Sequence, residues 1–206
     1  TIIVMKKPTQ KSTKAVNQVR IIGGQHKRRL LSFVDAQGLR PTPDRLKETL
    51  FNWLTGYLTD AKILDTCAGS GALGFEAVSR GAKTATLIEP NLAQAQMLKQ
   101  NAKLLKLSDR LTIVSTDAIS ALNTMHDRHD AFDIIFIDPP YALNLWQPIL
   151  ENLLDNALIH ADSRIYLEAD KPLHSILDDD TSAKFTLIKS TKVGQAMAYL
   201  LTPTPN

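Results

Sequence analysis

The most informative segment of this sequence is Lys62-Ile63-Leu64-Asp65-Thr66-Cys67-Ala68-Gly69-Ser70-Gly71-Ala72-Leu73-Gly74. An apolar run of strand character leads into small residues and then into a helical pattern that continues to Arg80. Glycines let the chain turn tightly there, and they let backbone amides approach a ligand at the positive end of the helix. We therefore predict a strand, a ligand-binding loop and a helix in succession.

The loop matches a nucleotide-binding fingerprint. Residues 69–74 have the pattern G-x-G-x-x-G, and Glu89 follows Gly69 by twenty positions, at the end of a second predicted strand. In dinucleotide-binding proteins an acid at this spacing accepts hydrogen bonds from ribose hydroxyls. The loop alone leaves open a nicotinamide or flavin enzyme and any other enzyme with a nucleoside cofactor.

A second motif separates these classes. Residues 132–137 form a nearly continuous apolar run, as expected for a strand buried on both faces, and Asp138-Pro139-Pro140-Tyr141 follows directly. Two prolines donate no hydrogen bonds and fix φ, so we predict a rigid turn that offers only acceptors. The Asp138 carboxylate and the Pro139 carbonyl could hold both hydrogens of a nucleobase amino group, while Tyr141 stacks on the base. Hydride transfer has no use for such a site, so the motif favours chemistry at an exocyclic amine.

Strands and helices alternate along the rest of the chain. The predicted strands are 62–67, 84–88, 111–116, 132–137 and 163–168. The predicted helices are 71–80, 91–106, a short helix from about 118, and 145–156. Alternation at this spacing predicts an α/β fold with a doubly wound parallel sheet. Two further strands are predicted at 184–190 and 197–201.

An extension precedes the sheet. Residues 18–33 alternate in polarity and carry Gly23-Gly24, which predicts a β-hairpin outside the main sheet. A helix is predicted after Thr42, which would cap it, with Pro43 at its first position. The apolar stripe of this helix consists of Leu46, Leu50, Leu54 and Tyr57.

Motifs spread over the chain resemble those of a known enzyme class. The segment 65–71, followed by Glu89, Asp117 and residues 138–141, resembles the class I S-adenosylmethionine (SAM) methyltransferases that act on exocyclic amines. Segments nearer the start resemble the bacterial 16S ribosomal RNA guanine-N2 methyltransferase family: Val19-Arg20-Ile21-Ile22-Gly23-Gly24-Gln25, Leu39-Arg40-Pro41-Thr42-Pro43-Asp44-Arg45 and Glu48-Thr49-Leu50-Phe51-Asn52-Trp53-Leu54. The resemblance extends over residues 18 to 202.

This resemblance implies a fold, a cofactor and a set of site residues. The fold would be a Rossmann-like sheet of seven strands with a reversed last strand, and the cofactor would be SAM. The glycine loop would hold the methionine part of SAM through Ala68, Gly69, Ser70, Gly71 and Gly74, although Gly74 could instead serve helix packing alone. Other cofactor contacts would be Glu89 to the ribose, Asp117 and Ala118 to the adenine, and Asp65 to the methionine ammonium. The catalytic residues would be Asp138, Pro139, Pro140 and Tyr141.

Charge is distributed unevenly along the sequence. Residues 1–29 hold eight Lys or Arg and no acid, whereas the remainder holds sixteen basic and twenty-one acidic residues. Such asymmetry is typical of proteins that bind polyanions, although a solvated tail would have the same composition. The predicted RNA contacts are Arg20, His26, Lys27, Arg28 and Arg29, and the resemblance adds Arg40 and Thr42 near the active site. The family usually has glycine where this chain has Arg28, so the hairpin geometry there stays open.

We divide the sequence into a flexible basic tail (1–17), a hairpin and helix extension that contacts RNA (18–58), and a SAM-dependent catalytic domain (59–206). The single cysteine excludes a disulfide framework and a cysteine-based zinc site. The sequence contains no run of about 18 apolar residues, the length that would indicate a membrane span. We expect a cytoplasmic monomer without a metal, whose partner is ribosomal RNA within a small-subunit particle.

Two other functions remain open on the sequence alone. The four-residue motif serves any exocyclic amine, so an adenine-N6 or DNA amino-methyltransferase would carry it too. A catalytically silent RNA-binding module is the non-enzymatic alternative, but a decayed enzyme would have no reason to keep both Asp138 and Glu89. The leading hypothesis is transfer of a methyl group from SAM to the N2 amine of a guanine in 16S ribosomal RNA.

Overall fold

The computed structural model describes residues 16–34, 42–125 and 131–205. Its strands are β1 (Val16–Arg20), β2 (Leu30–Val34), β3 (Lys62–Asp65), β4 (Thr84–Ile88), β5 (Leu111–Val114), β6 (Phe132–Ile137), β7 (Ile159–Ala169), β8 (Phe185–Val193) and β9 (Ala196–Pro203). Its α-helices are α1 (Asp44–Trp53), α2 (Ala72–Ser79), α3 (Leu92–Leu104), α4 (Ala118–Asn123), α5 (Trp146–Asp155) and α6 (Asp179–Ala183). Short 3-10 turns cover Tyr141–Leu143 and Leu173–Ser175.

Seven strands form one sheet in the order β5-β4-β3-β6-β7-β9-β8. Strands β3 to β7 are parallel to one another, and β9 is antiparallel to both β7 and β8. This topology confirms the predicted α/β sheet with a reversed last strand. The chain leaves β3 toward β4 on one side and returns to β6 on the other, so the strand order reverses between β3 and β6. Ligands of doubly wound sheets bind at this place, over the carboxyl ends of the strands.

Helices cover both faces of the sheet. One face packs against α1, α2 and α3, and the other against α4 and α5. The central strand β6 is buried on both faces, which explains its continuous apolar sequence. Its Phe136 ring makes edge-to-face contacts with Phe51 of α1 and Tyr166 of β7, at centroid distances of 6.1 and 6.3 Å. The core therefore holds rigid the strand that ends at the Asp138 motif.

Strands β1 and β2 form the predicted hairpin outside the main sheet, paired from Val16↔Val34 to Arg20↔Leu30. Its apolar side chains, among them Leu31 and Phe33, join the same core as Leu98 of α3. Asn101 of α3 bonds the edge of β2, accepting from the Ser32 N–H at 3.2 Å and donating to the Ser32 carbonyl at 2.8 Å. The hairpin is therefore an integral layer on α3.

The loop between β1 and β2, residues 21–29, is fastened to the last turn of α2. Ser79 accepts at its carbonyl from the Gln25 N–H (2.7 Å), and its hydroxyl donates to the Gly23 carbonyl at 2.6 Å. Gly24 has φ +74, and a Cβ there would lie 1.9 Å from the Ser79 carbonyl oxygen, so only glycine fits. Because α2 starts at the glycine loop and runs back along the sheet, residues 21–29 lie at the amino edge of the strands.

Two details of the predicted first helix are wrong. Thr42 does not cap α1: Pro43 is the N-cap, with no side-chain hydrogen bond to the helix, and the Thr42 hydroxyl donates to Asp138 Oδ2 at 3.3 Å instead. Tyr57 lies beyond the end of the helix at Trp53, where helical periodicity no longer applies, and is 47% exposed. Its ring lies under the Arg164 guanidinium, 4.6 Å away. Among the described ranges, no helix has the length and apolarity needed to cross a membrane.

Candidate active site

The predicted acids meet at the carboxyl edge of the sheet. Asp65 ends β3, Glu89 follows β4, and Asp138 follows β6. These strands are neighbours, and β3 and β6 flank the point where the strand order reverses. The structure therefore brings together three side chains that are spread over more than seventy positions of the sequence.

The glycine loop has the tight geometry predicted for it, and one of its glycines also serves helix packing. Gly69 and Gly71 have φ of +51 and +79, and Gly71 is the N-cap of α2. A Cβ on Gly71 would lie 2.6 Å from Leu98 Cδ2 and 2.9 Å from Phe75 Cδ2, inside the core. The absence of a side chain at Gly71 thus lets α2 and α3 approach closely, while its backbone stays part of the predicted cofactor loop.

Gln94 of α3 fixes another part of the glycine loop by hydrogen bonds. The Gly69 carbonyl accepts from Gln94 Nε2 at 2.8 Å, and Gln94 Oε1 accepts from the Val34 N–H at 2.7 Å. Gln94 therefore connects the end of the hairpin to the loop. The flanking Ala68 and Ser70 are buried. Gly74 packs on Leu87, where a Cβ would come within 2.9 Å, which agrees with its packing alternative.

Glu89 is arranged to accept further hydrogen bonds. Its Oε2 accepts from the Gly69 N–H at 3.0 Å and its Oε1 from the Asn91 N–H at 2.8 Å. Each carboxylate oxygen can accept a second bond, so the fixed side chain can still bind a pair of hydroxyls. Burial raises the pKa of Glu89 against the lowering effect of these amides.

Asp65 is 1% exposed and accepts from the Gly74 N–H at 3.2 Å. Burial raises its pKa from 3.8 to about 7, and the nearby charge of Glu89 adds to the effect. A buried carboxylate without a counter-charge binds a proton or a cationic ligand more strongly than an exposed one does.

Asp138 and Tyr141 form the second half of the site. The Asp138 carboxylate accepts from Thr42, and its pKa is raised well above the usual value by burial and by the charges of Glu168 and Asp65. Pro139 is buried and Pro140 exposed, and Pro140 caps the 3-10 turn that begins at Tyr141. Burial also raises the pKa of Tyr141, so the phenol stays protonated and can donate. The motif thus presents a carboxylate, a rigid turn and a phenol ring at the carboxyl edge of the sheet.

Glu168 is a site residue that our sequence reasoning missed. It lies in β7, is 4% exposed, and accepts from the Tyr141 hydroxyl at 3.2 Å and the Tyr166 hydroxyl at 2.9 Å. The signal was present: Glu168 ends an apolar run, as Glu89 and Asp138 follow theirs. No motif pointed to it, because the preceding residues carry no glycine or proline.

Four carboxyls, those of Asp65, Glu89, Asp138 and Glu168, have pKa values raised mainly by burial. The other groups that act on them are carboxyls, hydroxyls and backbone amides, with no lysine or arginine of the described residues. Within the same ranges, no group of three or more His, Cys, Asp or Glu side chains is arranged to hold a metal ion. The site is therefore electrostatically suited to an organic cation.

Asp117 and Ala118, predicted beside an adenine, lie at the start of α4. Asp117 is exposed and caps this helix, because its Oδ1 accepts from the Ser120 N–H at 2.9 Å. That bond lowers the pKa of Asp117 and keeps it charged. Ala118 is buried in the core under α4. Both residues follow β5, at the same edge of the sheet as Glu89.

The predicted RNA contacts fall into two groups. Thr42 lies at Asp138, and Arg40 lies outside the described residues. The others, His26, Lys27, Arg28 and Arg29, lie in the fastened loop at the amino edge, with exposed Arg20 just before it.

The amino-edge group has its own geometry and electrostatics. Burial and the charges of Arg29 and Arg110 lower the pKa of His26, so it is neutral at pH 7. Arg28 has φ +72, the left-handed conformation that favours glycine, which accounts for the glycine usual in the resembled family. The structure thus accommodates arginine there in a strained backbone conformation.

Comparisons with known proteins identify the family to which the chain belongs. The family described as Conserved hypothetical protein 95 matches residues 19–202. The ribosomal RNA small subunit methyltransferase D of Escherichia coli K12 is 43% identical over 166 residues, which cover 81% of this chain and 80% of that protein. The protein of the same name from Haemophilus influenzae is 38% identical over 181 residues, covering 87% and 91%.

A solved structure extends the match to the fold. The Escherichia coli protein yhhF, described as a methyltransferase, has a TM-score of 0.79 and 37% identity, covering 91% of this chain and 98% of that chain. The chain therefore belongs to the Conserved hypothetical protein 95 family and to the same family as ribosomal RNA small subunit methyltransferase D, and it is a methyltransferase.

Proposed function

We propose that this protein transfers a methyl group from SAM to the exocyclic N2 amine of a guanine in 16S ribosomal RNA, in the cytoplasm. The observation that carries the proposal is the position of Asp138-Pro139-Pro140-Tyr141 at the switch point, next to the glycine loop and Glu89. The relatives named ribosomal RNA small subunit methyltransferase D support the RNA class.

The site fits SAM in three respects. SAM carries an ammonium and a sulfonium, and the buried carboxyls of Asp65 and Asp138 have no basic partner among the described residues. Its ribose has two vicinal hydroxyls, and Glu89 has free acceptor positions on both oxygens. Its adenine needs an apolar wall beside an acceptor, which the Asp117 and Ala118 turn would supply.

Bound SAM supplies a methyl group on a positively charged sulfur, and this carbon–sulfur bond breaks with its electron pair going to the sulfur. The protein's part is to position the amine and stabilise its developing charge. The Asp138 carboxylate and the Pro139 carbonyl would each accept a hydrogen bond from the N2 amine. These two bonds would orient the nitrogen lone pair toward the methyl carbon. When the N–C bond has formed, Asp138 takes the proton that the nitrogen must lose.

Thr42 has a defined part in this scheme. Its hydroxyl donates to Asp138 Oδ2, which leaves Oδ1 and one lone pair of Oδ2 for the amine. Because Thr42 belongs to the extension (18–58) and lies two residues before α1, the contact also joins the amino-terminal extension to the catalytic motif. We infer that the extension helps to build the site as well as to bind RNA.

The substrate experiment uses tritiated SAM. Small-subunit particles and naked 16S RNA from a strain lacking the gene are incubated with the protein, and labelled nucleosides are separated. We expect N2-methylguanosine. Label in N6-methyladenosine, or label only with DNA, would reject the proposed reaction, and the comparison of particles with naked RNA identifies the substrate state. Calorimetry with SAM and NAD tests the cofactor independently.

A further inference from the structure

Glu168 lies where a side chain can act on the catalytic motif. Strands β6 and β7 pair in the register Ile137↔Leu167, so the next residues, Asp138 and Glu168, are neighbours across the sheet. Glu168 is nearly inaccessible, and its two carboxylate oxygens accept from the Tyr141 and Tyr166 hydroxyls. It is therefore too enclosed to bind a base itself, but it contacts a residue that can.

The backbone of Glu168 holds a second aromatic side chain. Its carbonyl accepts from Trp146 Nε1 at 2.8 Å, and the Trp146 and Tyr141 rings have centroids 6.0 Å apart with an interplanar angle of 34°. Trp146 is 1% exposed, whereas Tyr141 is partly exposed. Glu168 thus fixes both rings: its carbonyl holds the buried Trp146, and its carboxylate holds the accessible Tyr141, which contacts Trp146.

We propose that Glu168 is a positioning residue that fixes the ring of Tyr141 as the wall against which the target base packs beside Asp138. This inference rests on the proposed function, because it assigns a place to the base. Without the bond from its hydroxyl, Tyr141 would be held only by apolar contacts, Trp146 among them, and its ring could turn about its side-chain torsions. The base would then lose a pre-ordered surface, and binding would have to supply the missing order.

The expected effect falls on RNA binding. Losing a hydrogen bond to a charged group corresponds to about a tenfold change in an equilibrium constant, equal to about 1.4 kcal/mol. Glu168→Ala and Tyr141→Phe should each raise the KM for RNA about tenfold and leave SAM affinity unchanged. If Glu168 acts through the Tyr141 hydroxyl, the double variant should be no worse than either single variant.

Two further variants separate positioning from charge. Glu168→Gln keeps an oxygen that can accept from Tyr141, so its KM should stay within about threefold of wild type. Asp170→Asn removes a neighbouring exposed charge that also acts on Tyr141 and should leave KM unchanged. If both charge-removing variants raised KM like Glu168→Ala, the effect would be electrostatic and the proposal would be overturned.

A ligand-free measurement completes the test. The chain has four tyrosines, so ring-labelled tyrosine gives a spectrum simple enough to assign by substitution. Glu168→Ala should shift and sharpen the Tyr141 resonance, because the ring becomes mobile, while Glu168→Gln should leave it near the wild-type position. Unchanged ring resonances in Glu168→Ala, or additive KM effects in the double variant, would overturn the positioning role. A wild-type protein that methylates no RNA would instead reject the proposed function as a whole.

Discussion

Replacing Asp65 with asparagine should stabilise the ligand-free protein at pH 8 but not at pH 4. Asp65 is 1% exposed, and its pKa is raised from 3.8 to about 7. Because the folded pKa lies above the unfolded one, the folded state binds the proton more tightly, and the stability this gives is lost as pH rises through about 7. Each pKa unit corresponds to about 1.4 kcal/mol, so the loss between pH 4 and pH 8 amounts to about 4 kcal/mol.

The variant isolates this group from the other buried acids. Asparagine keeps an oxygen that accepts from the Gly74 N–H but carries no charge. The free energies of unfolding of Asp65→Asn and wild type should therefore be similar at pH 4 and diverge by up to about 4 kcal/mol at pH 8, with the variant more stable. Urea unfolding at pH 4, 6 and 8 measures the difference. Asp117→Asn is the control and should gain no stability at pH 8, because hydrogen bonds lower the pKa of Asp117.

Cofactor binding should change in the opposite direction. At pH 8 the Asp65 carboxylate is charged and attracts the methionine ammonium, so calorimetry should show SAM binding at least about tenfold more weakly to Asp65→Asn. Wild-type affinity for SAM should also rise with pH up to about 7. Parallel stability curves for wild type and variant would refute the reasoning, since they would show that Asp65 titrates alike in the folded and unfolded chains.

Three further outcomes are expected. Asp138→Ala should lower kcat with RNA by about a hundredfold or more and leave SAM affinity nearly intact, and near-normal single-turnover rates would remove Asp138 from the mechanism. Gly71→Ala should lower the free energy of unfolding in urea by about 2–4 kcal/mol, because Gly71 has a positive φ and a Cβ there would collide with Leu98. The control Gly194→Ala, at φ +61 in open space, should lower it by only about 1 kcal/mol. Equal losses in the two variants would contradict the packing role of Gly71. Arg28→Gly should gain about 1 kcal/mol by relieving its backbone and flatten the salt dependence of RNA binding by about 0.7; an unchanged slope in filter binding would mean that Arg28 touches no phosphate.

The sheet was predictable because its information is local. Strands β3 to β6 are short, mostly apolar runs, and the turn after each carries small or acidic residues, so the alternation is visible without contacts. The sequence predicted only residues 163–168 of β7, because His160 and Asp162 interrupt the apolar pattern in the first part of this strand. The positions of Asp65, Glu89 and Asp138 at one edge follow from the parallel topology alone. The site residues recognised by pattern are those whose neighbours are glycine or proline.

What escaped prediction depends on contacts between distant segments. Thr42 has the local sequence of a helix cap, but its hydroxyl bonds Asp138, ninety-six positions away. The contact of Gly71 with Leu98 of α3 could not be predicted either, because it depends on how two helices pack. Glu168 has no motif at all, and only the register of β6 and β7 reveals it. A local sequence pattern indicates which residue type a position requires. Which distant residue it contacts is determined by the packing of the fold.

Helix α2 connects the predicted cofactor loop to the basic loop at residues 21–29. The glycine loop precedes its first turn, and the basic loop 21–29 is bonded to its last, at Ser79. Eight residues of α-helix are about 12 Å long, so this is the least distance between the cofactor loop and the predicted phosphate contacts. A substrate must therefore extend over at least about 12 Å to reach both at once. If Lys27, Arg28 and Arg29 contact phosphate as predicted, a polynucleotide gains affinity from them that a nucleoside at the catalytic edge does not.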